Sequence, residues 1–143
     1  MKVAAIGPGT LLALKAEAAR IYPLKTTVDG RIRTHEEPEL DLTIYEGSWF
    51  SISLPEHRPT GYRWHLAPND GEVVVMEDRF QTPHNKPDAI GTRTFTLKIS
   101  TADKSPVRLA FELRRPWHVM SPPAARKDVT VEVLPEPAVR IMR

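Results

Sequence analysis

From residue 41 onwards, apolar and polar residues alternate with a period of two through most of the chain. Successive side chains of a β-strand point to opposite faces, so this alternation predicts strands with one buried face and one exposed face. Such strands are typical of antiparallel sheets packed face to face. The predicted inward residues of the four clearest runs are Phe50, Ile52 and Leu54; Phe95, Leu97 and Ile99; Val107, Leu109, Phe111 and Leu113; and Val129, Val131 and Val133.

The apolar run Val73-Val74-Val75-Met76 is continuous, which favours a strand covered on both faces. Residues 41–45 and 62–66 bring the number of predicted strands to about seven, joined by connections rich in Pro or Gly. That number is typical of an immunoglobulin-like antiparallel β-sandwich, so the predicted fold class is all-β. The single predicted core includes Trp64, Phe95, Phe111 and Val131.

The first 40 residues lack this long alternation. Residues 11–20 are a candidate for a short helix, with Thr10 placed as its N-cap. Within residues 25–33, the pair Asp29-Gly30 separates two β-prone segments, which is a strong hairpin signal. We therefore predict a short helix and then a hairpin that packs on an edge of the sandwich or on a partner.

The chain is predicted to consist of an N-terminal extension, a sandwich domain and a tail, at residues 1–40, 41–135 and 136–143. Its 143 residues are enough for one domain with a core and too few for two. Hydrophobic residues make up 41% and charged residues 27%, a composition typical of globular proteins.

Charge and cysteine content exclude several classes of protein. The net charge is only +2, and basic clusters such as Arg31-Ile32-Arg33 are too short for a nucleic-acid-binding stripe. The absence of cysteine excludes a disulfide scaffold, a thiolate zinc site and a cysteine nucleophile. No run of about 18 apolar residues exists, so no membrane partner is predicted.

The N-terminus only partly resembles a secretory signal. Lys2 precedes an uncharged run over residues 3–14, and Ala16-Glu17-Ala18 imitates a cleavage site. However, Gly7-Pro8-Gly9 breaks the apolar helix that a signal needs, and Lys15 lies where the apolar run should end. We therefore predict no signal peptide, which favours a cytoplasmic location.

Three motifs stand at the ends of predicted strands. Residues 54–64 read Leu-Pro-Glu-His-Arg-Pro-Thr-Gly-Tyr-Arg-Trp, residues 88–95 read Asp-Ala-Ile-Gly-Thr-Arg-Thr-Phe, and residues 113–117 read Leu-Arg-Arg-Pro-Trp. In order and spacing they resemble the motifs N-P-T-T-G-Y-x-W, G-x-G-G and R-P-W of the chagasin-type inhibitors of papain-like cysteine proteases. The resemblance covers residues 41–135.

This resemblance implies an immunoglobulin-like sandwich whose three loops cluster at one end and wedge into the active-site cleft of a papain-like cysteine protease. It implies reversible, competitive inhibition without covalent chemistry, with Thr60 and Gly61 nearest the protease's catalytic cysteine. Trp117 would pack on the rim of the cleft. The protease-binding residues that the resemblance implies are Pro59, Thr60, Gly61, Ile90, Gly91, Thr92, Arg115, Pro116 and Trp117.

The middle motif departs most from the family pattern. It keeps Gly91, whereas Asp88 and Ile90 stand where the family has glycine. Because glycine lets a backbone approach a partner closely, side chains at these positions are expected to hold the middle loop away from a cleft wall. His118 also stands where an acidic residue often follows R-P-W.

Elementary chemistry assigns separate roles to the residues of the other two motifs. Pro59 fixes one φ angle and Gly61 permits a positive φ, so the first loop is predicted to be rigid and to lose little entropy on binding. Trp64 is predicted to lie in the core, as a tryptophan does in immunoglobulin-like domains. Trp117 follows Pro116 at a loop tip and is predicted to be an interface anchor; the alternative is that it folds over the end of the core.

No catalytic site, metal site or cofactor is predicted. The five histidines lack ligand spacing, although His57, His84 and His118 fall in or beside the three loops, which leaves a metal site or a pH-sensitive interface as minor alternatives. The serines lack a G-x-S-x-G elbow, and no glycine-rich phosphate loop is present, so the protein is not expected to be an enzyme.

A second function stays open at this point. The same sandwich is suited to be a non-inhibitory structural or adaptor subunit of a larger assembly, docked partly through residues 1–40, which are foreign to the family pattern.

Overall fold

The computed structural model describes residues 22–69, 73–118 and 120–136. Within these residues the chain forms nine strands and two single turns of 3-10 helix, Arg58–Thr60 and Pro83–Asn85. In chain order the strands are β1 Leu24–Val28, β2 Arg31–His35, β3 Glu39–Tyr45, β4 Trp49–Glu56, β5 Arg63–Leu66, β6 Val73–Gln81, β7 Gly91–Ile99, β8 Val107–Arg114 and β9 Ala125–Leu134. None of the helical turns in these ranges is long and apolar enough to cross a membrane.

The strands form two sheets with the orders β2-β1-β4-β7-β6 and β3-β9-β8-β5. The all-β sandwich is confirmed, and the region from β3 to β9 supplies the seven predicted strands. The expectation of purely antiparallel pairing is wrong at one place, because β3 and β9 run parallel. The chain crosses from β2 to the second sheet over residues 36–38, and β3 then begins beside the start of β9. The two strands therefore run in the same direction.

The core lies between the two sheets and follows the predicted alternation. In β8, for example, the residues at alternate positions from Val107 to Leu113 are buried. Burial of these apolar faces stabilises the fold by about 1.5–3 kcal/mol for each large side chain. The four predicted core residues are all at most 2% exposed: Trp64, Phe95, Phe111 and Val131.

The predicted N-terminal hairpin is present as β1 and β2. Its turn has Asp29 at φ 51° and Gly30 at φ 77°, the pair of positive angles that a two-residue hairpin turn of this twist requires. β1 also pairs with β4, so the hairpin extends the first sheet, and Leu24 reaches the core. The helix candidate at residues 11–20 lies outside the described residues, and the division of the chain at residue 40 stays a prediction.

The continuous apolar run at the start of β6 is not covered on both faces, and that expectation is wrong. β6 is the edge strand of the five-stranded sheet, and Val74, Val75 and Met76 are all exposed. A bulge between Val75 and Glu77 shifts the register there. The prediction of two covered faces failed because no second layer lies outside this sheet in the described residues. The bulge also disturbs the alternation of side chains between the two faces of β6.

Lys127 is a charged residue at a core position of β9. It is 1% exposed, and its Nζ donates to the main-chain oxygen of Glu37 at 3.2 Å. Burial lowers the pKa of Lys127 to about 8, against the opposing attraction of the Glu37 and Glu36 carboxylates. The folded protein therefore releases this proton at a lower pH than the unfolded chain, whose lysine has a pKa of 10.5.

Replacement of Lys127 by Met is expected to raise the free energy of unfolding by about 2–3 kcal/mol at pH 7. Between pH 8 and 10.5 the unfolded chain binds more protons at this residue than the folded chain, so the stability contribution of Lys127 rises with pH. The advantage of Lys127→Met should therefore shrink across this window. Denaturant titrations of both proteins from pH 7 to 10.5 measure it, and a constant difference would contradict the assignment.

Candidate functional site

The first loop, residues 57–62, joins β4 to β5 and is held in shape by its own hydrogen bonds. The hydroxyl of Thr60 donates to the main-chain oxygen of His57 at 2.7 Å and accepts from the amide of Tyr62 at 3.2 Å. Gly61 closes the 3-10 turn at φ 85°, and its amide donates to the oxygen of Arg58 at 2.9 Å. The loop is thus a closed turn that needs no partner to order it.

A buried carboxylate supports this loop from below. Glu56 is 1% exposed, and its Oε1 accepts from the amide of Trp64 at 2.7 Å while its Oε2 accepts from Nε of Arg58 at 2.8 Å. An Nη of Arg93 adds a longer contact at 3.4 Å. Glu56 therefore ties both ends of the first loop to one buried point.

Sequence reasoning missed Glu56 as a functional residue, although a signal for it was present. Glu56 continues the inward series Phe50, Ile52 and Leu54 along β4, so alternation alone places its carboxylate on the buried face. A buried carboxylate needs hydrogen-bond partners, and two flanking arginines supply them.

Arg93 links this carboxylate to the edge strand β6. Its guanidinium donates to both carboxylate oxygens of Asp78. These hydrogen bonds are the main cause of the raised pKa of Arg93; the negative charge of Glu56 raises the pKa further, whereas burial lowers it. The Arg93 charge is therefore permanent, and Glu56 always faces at least one cation.

The third loop, residues 115–124, joins β8 to β9 and contacts the first loop directly. Nε of Arg115 donates to the main-chain oxygen of Thr60 at 3.1 Å, and its guanidinium lies over the ring of Tyr62 at 4.5 Å. Trp117 is 65% exposed, so it does not fold over the end of the core. Its ring instead lies against the backbone of Gly61.

Gly61 is required for two separate reasons. Its positive φ disfavours any residue with a side chain, and a Cβ at this position would lie 2.7 Å from Cη2 of Trp117. The glycine therefore lets the Trp117 ring rest on the first loop, and the two loops present one continuous surface.

The middle loop, residues 82–90, joins β6 to β7 and contacts the first loop. Nε2 of His57 lies 2.9 Å from the main-chain oxygen of Asp88, and the guanidinium of Arg58 lies over the ring of Phe80 at 4.1 Å. At the tip, Ile90 is 63% exposed.

The structure places Gly91 differently from the other predicted contact residues. It is buried at the start of β7, where a Cβ would collide with the ring of Phe80 and the main-chain oxygen of Gln81. Gly91 thus serves the packing of the middle loop, and only Ile90 and Thr92 on either side of it reach the surface. The position of a glycine in the sequence does not show whether it serves the packing of its own loop or the close approach of a partner.

The structure brings all three predicted loops together at one end of the sandwich, as expected. β4, β6 and β8 run towards this loop end, whereas β5, β7 and β9 run away from it. The side chains at its surface are those of Pro59, Thr60, Ile90, Thr92, Pro116 and Trp117, with Gly61 and Arg115 half-buried between them.

The loop end carries no assembled metal site among residues 22–69, 73–118 and 120–136. No cluster of three His, Asp or Glu side chains in these ranges is suited to hold a metal ion. His57 contacts the main-chain oxygen of Asp88, and His118 packs edge-on against the Trp117 ring at 5.8 Å. The loop end is a contoured surface with exposed apolar tips, a form typical of protein-binding modules.

Comparison with known proteins identifies the kind of module. The family model described as Chagasin family peptidase inhibitor I42 matches residues 43–133, well over half of the chain. The protein therefore belongs to the chagasin family of peptidase inhibitors.

A solved structure supports the fold. The chain is similar to the cysteine protease inhibitor EhICP2 from Entamoeba histolytica, with a TM-score of 0.56 and 19% sequence identity over 66% of this chain and 85% of that one. A search of curated proteins found no significant match.

Proposed function

We propose that this protein is a reversible, competitive inhibitor of papain-like cysteine proteases. Its three loops occupy the active-site cleft as a wedge, and its own residues undergo no covalent chemistry. The observation that carries this proposal is the contact between loops that are distant in sequence, by which Arg115 and His57 join the third and middle loops to the first.

The rigidity of the first loop suits entry into a cleft. A flexible loop loses about 0.5–1.5 kcal/mol of binding free energy for each side chain that becomes ordered in a complex. Here the Thr60 hydroxyl, the Gly61 turn and the Glu56 carboxylate have already fixed the backbone. Pro59, Thr60 and Gly61 form the tip that reaches deepest, towards the catalytic cysteine of the protease.

The flanking loops supply the apolar anchors. Trp117 and Ile90 are both about two-thirds exposed, although large apolar residues are normally buried. Trp117 contacts the cleft rim on one side of the first loop and Ile90 on the other. Because Ile90 stands where the family has glycine, the matching protease surface must leave room for a branched side chain.

Titration of papain with the purified chain tests the proposal. Competitive inhibition raises the apparent KM and leaves kcat unchanged, and reversible inhibition returns full activity on dilution. Mass spectrometry should find the chain intact after long incubation, since no acyl intermediate forms. Inhibition that substrate does not relieve would contradict the cleft wedge.

Replacement of Trp117 by Ala is expected to weaken protease binding about thirtyfold, or ~2 kcal/mol, because an exposed aromatic anchor dominates interface energy. Trp49 offers a matched control, since it is also a largely exposed tryptophan, 59% exposed, but stands at the far end of β4 from the loops. Trp49→Ala should leave the inhibition constant unchanged. Equal inhibition constants for wild type and Trp117→Ala would remove Trp117 from the interface.

A further inference from the structure

The two sheets of the sandwich differ in width at one side, and this difference creates a groove. β2 is the outermost strand of the five-stranded sheet, and β3 is the outermost strand of the four-stranded sheet beneath it. The groove between them has a volume of about 560 Å³, with Thr26 and Leu42 at its floor. We call it the side groove.

The wall that β2 gives to the side groove is basic. Arg31, Arg33 and His35 alternate along β2 and line the groove, which Asp29 of the hairpin turn and Asp41 of β3 also line. Ile32 and Thr34 face the opposite side of the sheet. None of the ion pairs in the described ranges involves Arg31 or Arg33. This row of basic residues takes no part in the loop end.

The opposite wall is an unpaired strand edge. Among residues 22–69, 73–118 and 120–136, β3 pairs with β9 on one side only, so the peptide groups on its other side face the groove. Native proteins usually block such an edge, because it is a template for another strand. A strand added here would lie under β2, with alternate side chains pointing at Arg31, Arg33 and His35.

We propose that the side groove binds an extended acidic segment of a partner protein, which adds to β3 as a fifth strand of the second sheet. The inward residues of this segment carry carboxylates that pair with Arg31 and Arg33. Its outward residues lie beside Asp41 and Thr43 of β3, so they are neutral or basic. The recognised pattern is thus an acid at every second position.

The termini of this chain do not fit that pattern, which favours a partner. Residues 1–21 and 137–143 contain a single acidic residue, Glu17. The proposal does not depend on protease inhibition, since the side groove lies along the flank of the sandwich and shares no residue with the loop end.

The test uses the full chain and a blocked peptide of about seven residues that alternates Thr and Glu, matched to the 7 residues of β3. Binding is measured by fluorescence anisotropy, and hydrogen exchange is followed with and without peptide. The double variant Arg31→Gln/Arg33→Gln should bind about tenfold more weakly. The matched control Ile32→Glu/Thr34→Glu lowers the net charge by the same amount on the other face of β2 and should retain affinity.

In wild type, the β3 amides that point away from β9 into the groove should exchange more slowly when the peptide is bound, a readout that does not depend on the variants. Equal weakening in both double variants would overturn the proposal, since only net charge would then attract the peptide. Unchanged exchange of the β3 amides would overturn strand addition. The proposal would also be overturned if the groove-facing β3 amides were already protected in the free chain, either by self-association seen in sedimentation or by the chain's own termini. Inhibition of papain should be the same in all these variants.

Discussion

Replacement of Trp64 by Ala is expected to lower the free energy of unfolding by about 3–5 kcal/mol. The side chain is completely buried, and it is the largest of the fully buried side chains in the described residues. Its removal leaves a cavity that the surrounding strands fill only in part. It also takes away the indole N–H that donates to the main-chain oxygen of Pro55 at 2.8 Å, just before the first loop.

Chemical denaturation of Trp64→Ala measures this loss, and Trp117→Ala is its comparison. Trp117 is 65% exposed and lies against Gly61 and His118, so its removal should change the free energy of unfolding by less than about 1 kcal/mol. Replacement of Trp64 should therefore lower the free energy of unfolding, whereas replacement of Trp117 should weaken protease binding. If both variants lost the same stability, Trp117 would be a core residue and its role as an anchor would fail.

The core was predictable because alternation reports which face of a strand avoids water. Phe95, Phe111 and Val131 belong to strands in the middle of their sheets, where burial on one face is enforced by the opposing sheet. The hairpin was predictable for a local reason, since Asp29-Gly30 accepts two positive φ angles at little cost.

The exposure of β6 was not predictable from its residues. Val74, Val75 and Met76 are as apolar as any core strand, and only the order of strands in the sheet places them at an edge. The parallel pairing of β3 with β9 is a similar case, because sequence alternation carries no information about strand direction.

The candidate site divides in the same way. The motifs placed Thr60, Ile90 and Trp117 on loops, and the topology of a sandwich then implied that the loops meet. What the motifs did not contain is the support beneath them. Glu56 and Arg93 are 37 residues apart in the sequence, and only the fold brings their side chains together.

Glu56 joins the stability of the sandwich to the shape of its loop end. Its carboxylate holds the amide of Trp64 on one side of the first loop and Arg58 on the other. Arg58 in turn lies over Phe80, which packs against Gly91 at the start of β7. The backbone conformations of the first and middle loops therefore depend on one buried charge.

Replacement of Glu56 by Gln is expected to lower the free energy of unfolding by about 2–4 kcal/mol, although the shape of the side chain hardly changes. The amide oxygen of Gln can still accept from Trp64, but its NH₂ group then faces the Nε donor of Arg58 and no acceptor remains there. The first loop should loosen, and protease binding should weaken about tenfold or more because the loop must be ordered again on binding.

The control for this variant is Glu112→Gln. Glu112 also bridges two arginines, Arg114 at 3.1 Å and Arg126 at 2.9 Å, but its side chain is 15% exposed, whereas that of Glu56 is fully buried. Because solvent screens these surface pairs, Glu112→Gln should lose less than about 1 kcal/mol and keep full inhibition. Denaturant titration and papain inhibition of both variants measure the difference. Equal losses would show that Glu56 is an ordinary ion-pair partner. A Glu56→Gln protein that is less stable but inhibits fully would separate the buried carboxylate from the shape of the loops.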